Sequence, residues 1–323
     1  YFKNPYHSAL HGADVLINIY YWIKSEDFNL YLSDLDIIIA LISAACHDFK
    51  HPGLTQNFQI ATTSDLALKY NGRSVLENMH CSETIRLLLK PQYQIFASLK
   101  KSEFRYVREL ITDMILGTDM QMHSDHVKKS GSLVDEITKT ENREENTKNI
   151  LVIGLHVADI ANPCKPWLDC KRWTYMLMDE WFKQGDKEKE LALEVSPMMD
   201  RTKPNIPRGQ IGFIDYIVKP LFENWNRLFP NPTEICLKHL LKNKTNWTQL
   251  NSDPNANNVE FNLSNLKNAQ KRKSKPIQIN EPIHYDDNNV DHSNNDNNVE
   301  YHAVIVTKKK SKPKKKKKKK KKK

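Results

Sequence analysis

The sequence predicts an all-α protein, on three observations. Apolar residues recur three and four positions apart through most of residues 1–250, whereas the alternation typical of strands is scarce. The most apolar of these segments begins at a residue that commonly caps helices and is followed by a Pro-Gly pair that stops them. The chain of 323 residues is 39% hydrophobic, which is enough to bury a sizeable core. We therefore expect one large helical domain in residues 1–250.

The most apolar segment, SDLDIIIALISAACHD, predicts a central helix. Ser33 stands three positions before Asp36, a spacing typical of a capping box at a helix start. The segment then stays apolar until Pro52 and Gly53 must stop the helix. We expect this helix to deliver His47 and Asp48 at its carboxyl end.

Five further segments carry the same helical periodicity: VLENMHCSETIRLLLK, VRELITDMILGTDM, NILVIGLHVADIA, KRWTYMLMDEWFKQ and GFIDYIVKPLFENWNRLF. Residues 128–149 are highly charged, which predicts a solvent-facing loop or short helix between core helices. Residues 251–323 are rich in Asn, Asp and Lys and cannot bury enough apolar surface to order themselves. We predict that they form a disordered tail ending in poly-Lys.

The formal net charge of +10 comes from the end of that tail. Residues 308–323 contain fourteen lysines, so residues 1–307 carry a net charge of −4. No specific nucleic-acid partner is therefore expected for the helical domain. The lysines could add contact with an anionic membrane or a nucleic acid, although a solvated extension is the favoured interpretation.

Cysteine usage and hydropathy favour a cytoplasmic location for the helical domain. The five cysteines are odd in number and show no CxxC spacing, which suits reduced thiols. The chain opens without a secretory leader, and it has no apolar run of the ~20 residues needed to cross a bilayer.

Metal-binding chemistry is concentrated in four patches: His7 with His11; His47, Asp48 and His51; Glu77 with His80; and Asp159 after an apolar run. The spacing of His7 and His11 would put both on one side of a helix. Each patch alone is more simply explained as a solvated helix surface. Four together favour histidine and carboxylate ligands that point inward from separate helices onto divalent metal ions.

A longer set of motifs occurs in order along the chain: YHxxxHxxDV, HDxxHPG, LALxYNxxSVLEN, TDM, LHxADIxNP, SPMMDR and QIGFIDYIVxPL. Over residues 4–250 these motifs resemble the class I 3′,5′-cyclic nucleotide phosphodiesterase catalytic domain. The resemblance implies a compact multi-helix bundle with a dinuclear metal site, and hydrolysis of cyclic nucleotides to nucleoside 5′-monophosphates, which ends a cyclic nucleotide signal. ACHD, FQI, ENxHC and QIGFI look most like the cGMP-specific branch and its protozoan relatives, so cGMP is favoured and cAMP stays open.

The resemblance also implies two metal ions, usually zinc at the tighter site and magnesium or manganese at the second. Four residues match the direct ligands: His11, His47, Asp48 and Asp159. Asp48 would bridge the two ions, which together activate water and bind the phosphate. Four further residues match those that hold water around the second ion: His51, Glu77, His80 and Thr118.

The remaining implied roles concern the proton and the base. His7 matches the general acid for the departing 3′ oxygen, and Glu180 matches the carboxylate that orients it. Six residues match the nucleotide pocket: Tyr6, Met120, Asn162, Leu177, Gln210 and Phe213. Gln210 would address the purine, with Phe213 and Leu177 on its two faces. Cys170 and Gly209 are small, so we expect Gln210 to be weakly restrained.

Two departures from the family and two alternatives remain. Ser8 and Met79 replace residues usual in the family, but neither matches a direct metal ligand. Family domains have helices before His7, so we expect that N-terminal helices are missing here, and with them any membrane-associating segment.

An HD-domain phosphohydrolase also binds metal through His and Asp residues, but it does not explain QIGFIDYIV. A non-enzymatic binder of nucleic acid or acidic membrane would explain only the lysines. A homodimer stays open.

Overall fold

The computed structural model describes residues 1–137 and 142–252, and the regular elements within them are helical. The predicted all-α fold is thereby confirmed. The helices are α1 (Ala9–Ile23), α2 (Glu26–Asn29), α3 (Asp34–Cys46), α4 (Gln56–Ala61), α5 (Asp65–Lys69), α6 (Val75–Leu88), α7 (Lys101–Leu116), α8 (His123–Glu136), α9 (Arg143–Asp159), α10 (Trp167–Glu190), α11 (Ile206–Phe213), α12 (Lys219–Leu228) and α13 (Pro230–Asn251). Short 3₁₀ turns lie at Pro91–Tyr93, Met120–Met122 and Asn162–Cys164.

Helix α3 begins and ends as the sequence predicts. The Ser33 hydroxyl accepts a hydrogen bond from the backbone N–H of Asp36, and the Asp36 carboxylate accepts from the N–H of Ser33. This capping box satisfies two backbone donors that the first turn would otherwise leave unpaired. Ile39 and Ala44 are fully buried where α3 packs against α1 and α7. The helix therefore fixes His47 and Asp48 at its buried carboxyl end.

Helix α9 packs closely against an aromatic cluster. The cluster comprises Trp22, Phe28, Phe222, Trp225 and Phe229, whose rings meet mainly edge to face. A Cβ on Gly154 would lie 3.4 Å from the Trp225 ring and 3.5 Å from that of Phe28. Both distances are ordinary van der Waals contacts, so α9 packs directly on these rings, and this packing fixes the path of the helix to Asp159.

Helices α11 and α12 are joined by a π-helical segment, Ile214–Val218. Pro220 has no backbone N–H and cannot donate to a carbonyl one turn earlier, so the α-helical hydrogen-bond pattern is interrupted there. Ile214 and Val218 are fully buried within the segment. The wider turn therefore joins helix α11, which carries Gln210 and Phe213, to the core.

Two details of the sequence prediction are wrong. His7 lies in a turn before α1 rather than on a shared helix with His11, since α1 begins at Ala9. Residues 128–149 are mostly helical: they form the end of α8 and the start of α9, and residues 138–141 lie outside the described part. Ser130, Leu133 and Thr147 in this stretch are buried, which a reading of overall charge could not detect.

The predicted tail, residues 251–323, lies outside the described residues apart from the end of α13 and Ser252. Among the helices described, none combines the length and the apolar character required to span a membrane.

Candidate active site

Four metal-ligand atoms from three helices meet at one point. His11 comes from α1, His47 and Asp48 follow α3, and Asp159 ends α9. Asp159 Oδ1 lies 3.0 Å from His11 Nε2 and 3.2 Å from His47 Nε2. Asp48 Oδ2 lies 3.3 and 3.2 Å from the same two nitrogens, which are 3.2 Å apart. The structure therefore brings together the four residues predicted as direct ligands.

This donor set fits a tetrahedral divalent metal ion. Ligands ~2.0–2.1 Å from a tetrahedral ion are ~3.3 Å from one another, close to the separations observed here. His47 Nδ1 donates to the Ala44 carbonyl at 2.9 Å, which leaves Nε2 free to act as a ligand. Both histidines are at most 1% exposed. The four residues could therefore hold such an ion.

The charges in this cluster stabilise one another. Burial would lower the pKa of the His47 imidazole, but the charges of Asp48 and Asp159 raise it well above its usual value. Burial would raise the pKa of both carboxyls, but His47 and His11 hold them well below their usual range. Asp48 and Asp159 therefore remain ionised, as ligands of a divalent cation must be.

His7 is placed beside this cluster by Glu180 of α10. The Glu180 carboxylate accepts backbone hydrogen bonds from Tyr6 at 2.9 Å and from His7 at 3.1 Å, and it contacts His7 Nδ1 directly. Burial would raise the pKa of Glu180, but its contact with His7 lowers it. The imidazole is 22% exposed. Its Nδ1 is thus fixed on a carboxylate, and the ring stays partly open to solvent.

Three of the residues predicted to hold water around the second ion, His51, Glu77 and His80, lie near Asp48 or carry buried polar atoms. His80 Nδ1 donates to the Phe49 carbonyl at 2.7 Å, so its Nε2 faces Asp48 Oδ1, 3.6 Å away, as an acceptor. His80 Nε2 and Glu77 Oε2 are buried and have no hydrogen-bond partner among the described residues. Water on a second ion could donate to both atoms. The ring of His51 stacks on that of His80 with centroids 5.6 Å apart.

Burial also shifts the pKa values of these groups. It lowers the pKa of His80 to about 4, and it raises the pKa of Glu77 to about 8 with a contribution from the nearby charge of Asp119. Thr118, the fourth predicted residue, is buried and donates its hydroxyl hydrogen bond to the carbonyl of Ile115 at 2.7 Å.

Gln210 has a side-chain partner, contrary to the weak restraint expected from Cys170 and Gly209. The Thr174 hydroxyl lies 3.1 Å from Gln210 Oε1 and 3.0 Å from the carbonyl of Cys170. Thr174 is buried on α10, one turn after Cys170. The sequence motifs did not indicate Thr174, because its contact with Gln210 joins two residues that are 36 positions apart in the chain.

The other residues predicted to line the nucleotide pocket differ in their burial and contacts. Tyr6 is buried against the His11 ring, with centroids 4.6 Å apart, and its hydroxyl accepts a hydrogen bond from Asn162 Nδ2. Leu177 and Phe213 are half-buried, on α10 and α11, and Met120 is exposed. Their stacking on a base stays a prediction.

Curated proteins similar to this chain are named as 3′,5′-cyclic nucleotide phosphodiesterases. The chain is 37% identical over 283 residues to human dual specificity calcium/calmodulin-dependent 3′,5′-cyclic nucleotide phosphodiesterase 1B, covering 85% of this chain and 52% of that protein. It is 41% identical over 219 residues to the phosphodiesterase 1 of the same description from Drosophila melanogaster, covering 68% of this chain and 26% of the fly protein. The chain thus spans about half the length of the human relative.

Solved structures give the same result. The phosphodiesterase domain of the RhoPDE fusion protein from the choanoflagellate Salpingoeca rosetta matches with a TM-score of 0.71 and 32% identity, covering 78% of this chain and 80% of that one. LmjPDEB1 in complex with IBMX matches with a TM-score of 0.71 and 29% identity, covering 77% and 76%.

The family expected from the motifs is confirmed by a match to a whole family of sequences. The model of the 3′5′-cyclic nucleotide phosphodiesterase family matches residues 6–240, which include every predicted site residue. The chain therefore belongs to the 3′,5′-cyclic nucleotide phosphodiesterase family.

Proposed function

We propose that this chain hydrolyses 3′,5′-cyclic nucleotides to nucleoside 5′-monophosphates and so ends a cyclic nucleotide signal. The observation that carries the proposal is the meeting of His11, His47, Asp48 and Asp159 beside the His7–Glu180 pair. A metal cluster adjacent to a separate, carboxylate-bound imidazole suits a reaction in which a phosphorus–oxygen bond breaks and the departing oxygen needs a proton.

The residues divide this work as follows. His11, His47, Asp48 and Asp159 would hold a zinc ion, and Asp48 would share a second ion, magnesium or manganese. When bound, the two ions supply Lewis-acid chemistry for the phosphate and its attacking water.

His7 gives its Nε2 proton to the departing 3′ oxygen. Glu180 holds His7 Nδ1, which fixes the ring orientation and stabilises the protonated imidazole. The His7 side chain is 22% exposed, which leaves it accessible to a substrate while its Nδ1 stays on Glu180.

An assay on purified protein loaded with Zn²⁺ and Mg²⁺ tests this function. We expect both cyclic nucleotides to yield the 5′-monophosphate, identified by chromatography. Production of the 3′-monophosphate would contradict the proposed protonation of the 3′ oxygen. Activity confined to nucleoside triphosphates or other phosphate esters would favour the HD-domain alternative.

For the base, we propose that the site accepts both cGMP and cAMP through Gln210. An amide can donate from Nε2 and accept at Oε1, and guanine and adenine need opposite arrangements of these two atoms. The Thr174 hydroxyl has one proton and lies near two acceptors. It can donate to Gln210 Oε1, or donate to the Cys170 carbonyl and accept from a reversed amide. The relatives' names contain "dual specificity", which also supports this proposal.

Removing the Thr174 hydroxyl tests the selection of the base. Thr174→Val keeps the shape of the side chain but can neither donate to nor accept from Gln210, so the balance of kcat/KM between cGMP and cAMP should shift by about three- to tenfold. Gln210→Ala should lower kcat/KM for both. Thr112→Val, which removes a hydroxyl bonded to the Arg108 carbonyl on α7, is the control. An unchanged ratio in Thr174→Val would exclude Thr174 from this role. The cGMP preference expected from the motifs is read from the wild-type ratio.

A further inference from the structure

The Asn4 side chain bridges two segments of the active site. Its Nδ2 lies 2.8 Å from the carbonyl oxygen of His7 and 2.7 Å from the carbonyl oxygen of His51. An amide nitrogen carries two protons, so each carbonyl receives its own hydrogen bond. His7 precedes α1 and His51 follows α3, so a single side chain connects the main chains at the two ends of the catalytic cluster.

The bridged residues are also the residues whose rings stack. The imidazoles of His7 and His51 have centroids 3.9 Å apart and planes inclined by 18°. Because each ring is attached to its own backbone, the distance between the two backbones decides whether the rings can stack. By bonding both carbonyls, the Asn4 amide fixes that distance. His51 is itself anchored, since its Nδ1 accepts from the N–H of Gly53 at 3.0 Å.

Asn4 complements the contact made by Glu180. The N–H of His7 donates to Glu180, and the carbonyl of His7 accepts from Asn4. Both backbone polar groups of His7 therefore bond to side chains: the N–H to Glu180 on α10, and the carbonyl to Asn4, three residues earlier in the chain. Because the His7 backbone is held on both sides, the imidazole can move mainly by rotation about its own side-chain torsions.

The loop after α3 leaves room for this side chain. Gly53 has a φ of +71°, and a Cβ there would lie 2.9 Å from Asn4 Oδ1. A larger residue would be strained by the backbone conformation and would push against the amide. The glycine thus lets the loop approach Asn4 closely enough for the His51 carbonyl to reach Nδ2.

We propose that Asn4 is a positioning residue that sets the His7 imidazole for proton transfer by tying its main chain to that of His51. This rests on the proposed function, because it takes His7 to be the proton donor. The Asn4 amide bonds the carbonyls of His7 and His51, which are not among the four proposed metal ligands, so its effect should fall on turnover and not on metal binding.

The first test is Asn4→Asp, which keeps the shape but replaces the donor with oxygen facing two carbonyls. We expect kcat to fall about ten- to a hundredfold, as a misplaced catalytic group does, with KM and bound metal nearly unchanged. Asn224→Asp is the matched control, since Asn224 is also half-buried and its Nδ2 also reaches two acceptors, Val127 O and Ser130 Oγ. A kcat for Asn4→Asp equal to that of the control would overturn the proposal.

A double variant separates positioning from general damage. In a His7→Gln background the group that Asn4 positions is gone, so adding Asn4→Asp should cost little further kcat. Independent losses that multiply would contradict the proposal. If Asn4→Asp fails to fold, Asn4→Ser, which keeps one donor, replaces it and should give a smaller loss of kcat in the same two backgrounds.

Labelling with diethyl pyrocarbonate gives a readout that does not need activity. His7 should react several times faster in Asn4→Asp than in wild type or Asn224→Asp, because its ring leaves the stack with His51; peptide mass mapping measures this. Unchanged labelling would overturn the proposal. A metal-loaded wild type that hydrolyses neither cyclic nucleotide would refute the proposed function instead, and the labelling would still decide whether Asn4 fixes the ring.

Discussion

The buried carboxylate of Glu180 bonds both the backbone before α1 and the imidazole of His7. Glu180 accepts from the backbone N–H groups of Tyr6 and His7 and also contacts the His7 ring. Since it is 3% exposed, its charge is little screened by water. The same contacts that hold the turn before α1 therefore orient the imidazole.

Glu180→Gln should lower kcat by about a hundredfold while leaving bound metal unchanged. The amide can still accept at one oxygen, but it carries no charge to stabilise a protonated His7. Steady-state kinetics and metal analysis measure the two quantities. Glu234→Gln, at an exposed ion pair with Lys238, is the control. Equal kcat in both variants would remove Glu180 from the mechanism.

Single residues differ in how far sequence could predict them. His47 and Asp48 stand together in the chain after a helix that the sequence also predicts, so their meeting with other ligands could be expected. Asn4 contacts a residue 47 positions away, and Thr174 contacts one 36 positions away. Asparagine and threonine are ordinary surface residues, and only the packed structure shows what they touch.

At the level of elements, three histidines join α8 to its surroundings beside the site. His123 Nδ1 lies 3.0 Å from His156 Nε2, which links α8 to α9, and His126 Nε2 donates to the Gly117 carbonyl at 2.7 Å. His156 is fully buried one turn before Asp159. Burial lowers the pKa of His156 to about 3, and the neighbouring His126 adds to the effect.

Acid should therefore destabilise the α8–α9 contact. His156 takes up a proton near pH 6.5 in the unfolded chain but only near pH 3 in the folded protein. Its ionisation therefore leaves the free energy of unfolding unchanged above pH 6.5. Below pH 6.5 it lowers that free energy by at most about 1.4 kcal/mol per pH unit.

Denaturant unfolding of metal-free protein at pH 7.5 and pH 5 measures this loss. His156→Gln should be less stable at pH 7.5 but should lose less on going to pH 5. His239→Gln, at a half-buried site on α13, is the control. An equal loss in wild type and His156→Gln would contradict the assignment.

Sequence predicted the elements better than their edges. The capping box of α3 is local, and so it was visible in four residues. The turn that holds His7 depends on Glu180, 173 positions away, and the helices in residues 128–149 bury only a few residues among many charged ones. Distant partners of this kind are not encoded in local periodicity.

At the scale of the whole molecule, the chemistry and the positive charge occupy different parts of the chain. Every predicted site residue lies between Tyr6 and Phe213, whereas fourteen lysines lie in residues 308–323. The remaining 307 residues carry a net charge of −4. The lysines therefore reverse the sign of the whole chain without supplying a site residue.

Deleting residues 308–323 should leave kcat and KM nearly unchanged. It should also abolish any sedimentation with anionic vesicles or retention on nucleic acid, because both depend on the clustered positive charge. The full chain at high salt provides the control. Loss of turnover in a folded deletion variant would show that the domain division at residue 250 is wrong.

Metal content and turnover, measured together on Asp159→Ala, test the central claim most directly. Asp159 lies 3.0 and 3.2 Å from the two histidine nitrogens, so its removal should open the four-ligand cluster. Asp186→Ala, at an exposed ion pair with Arg201, is the control. We predict that wild type and control bind metal and form the 5′-monophosphate, and that Asp159→Ala loses both properties. Full metal occupancy with normal turnover in Asp159→Ala would contradict the account.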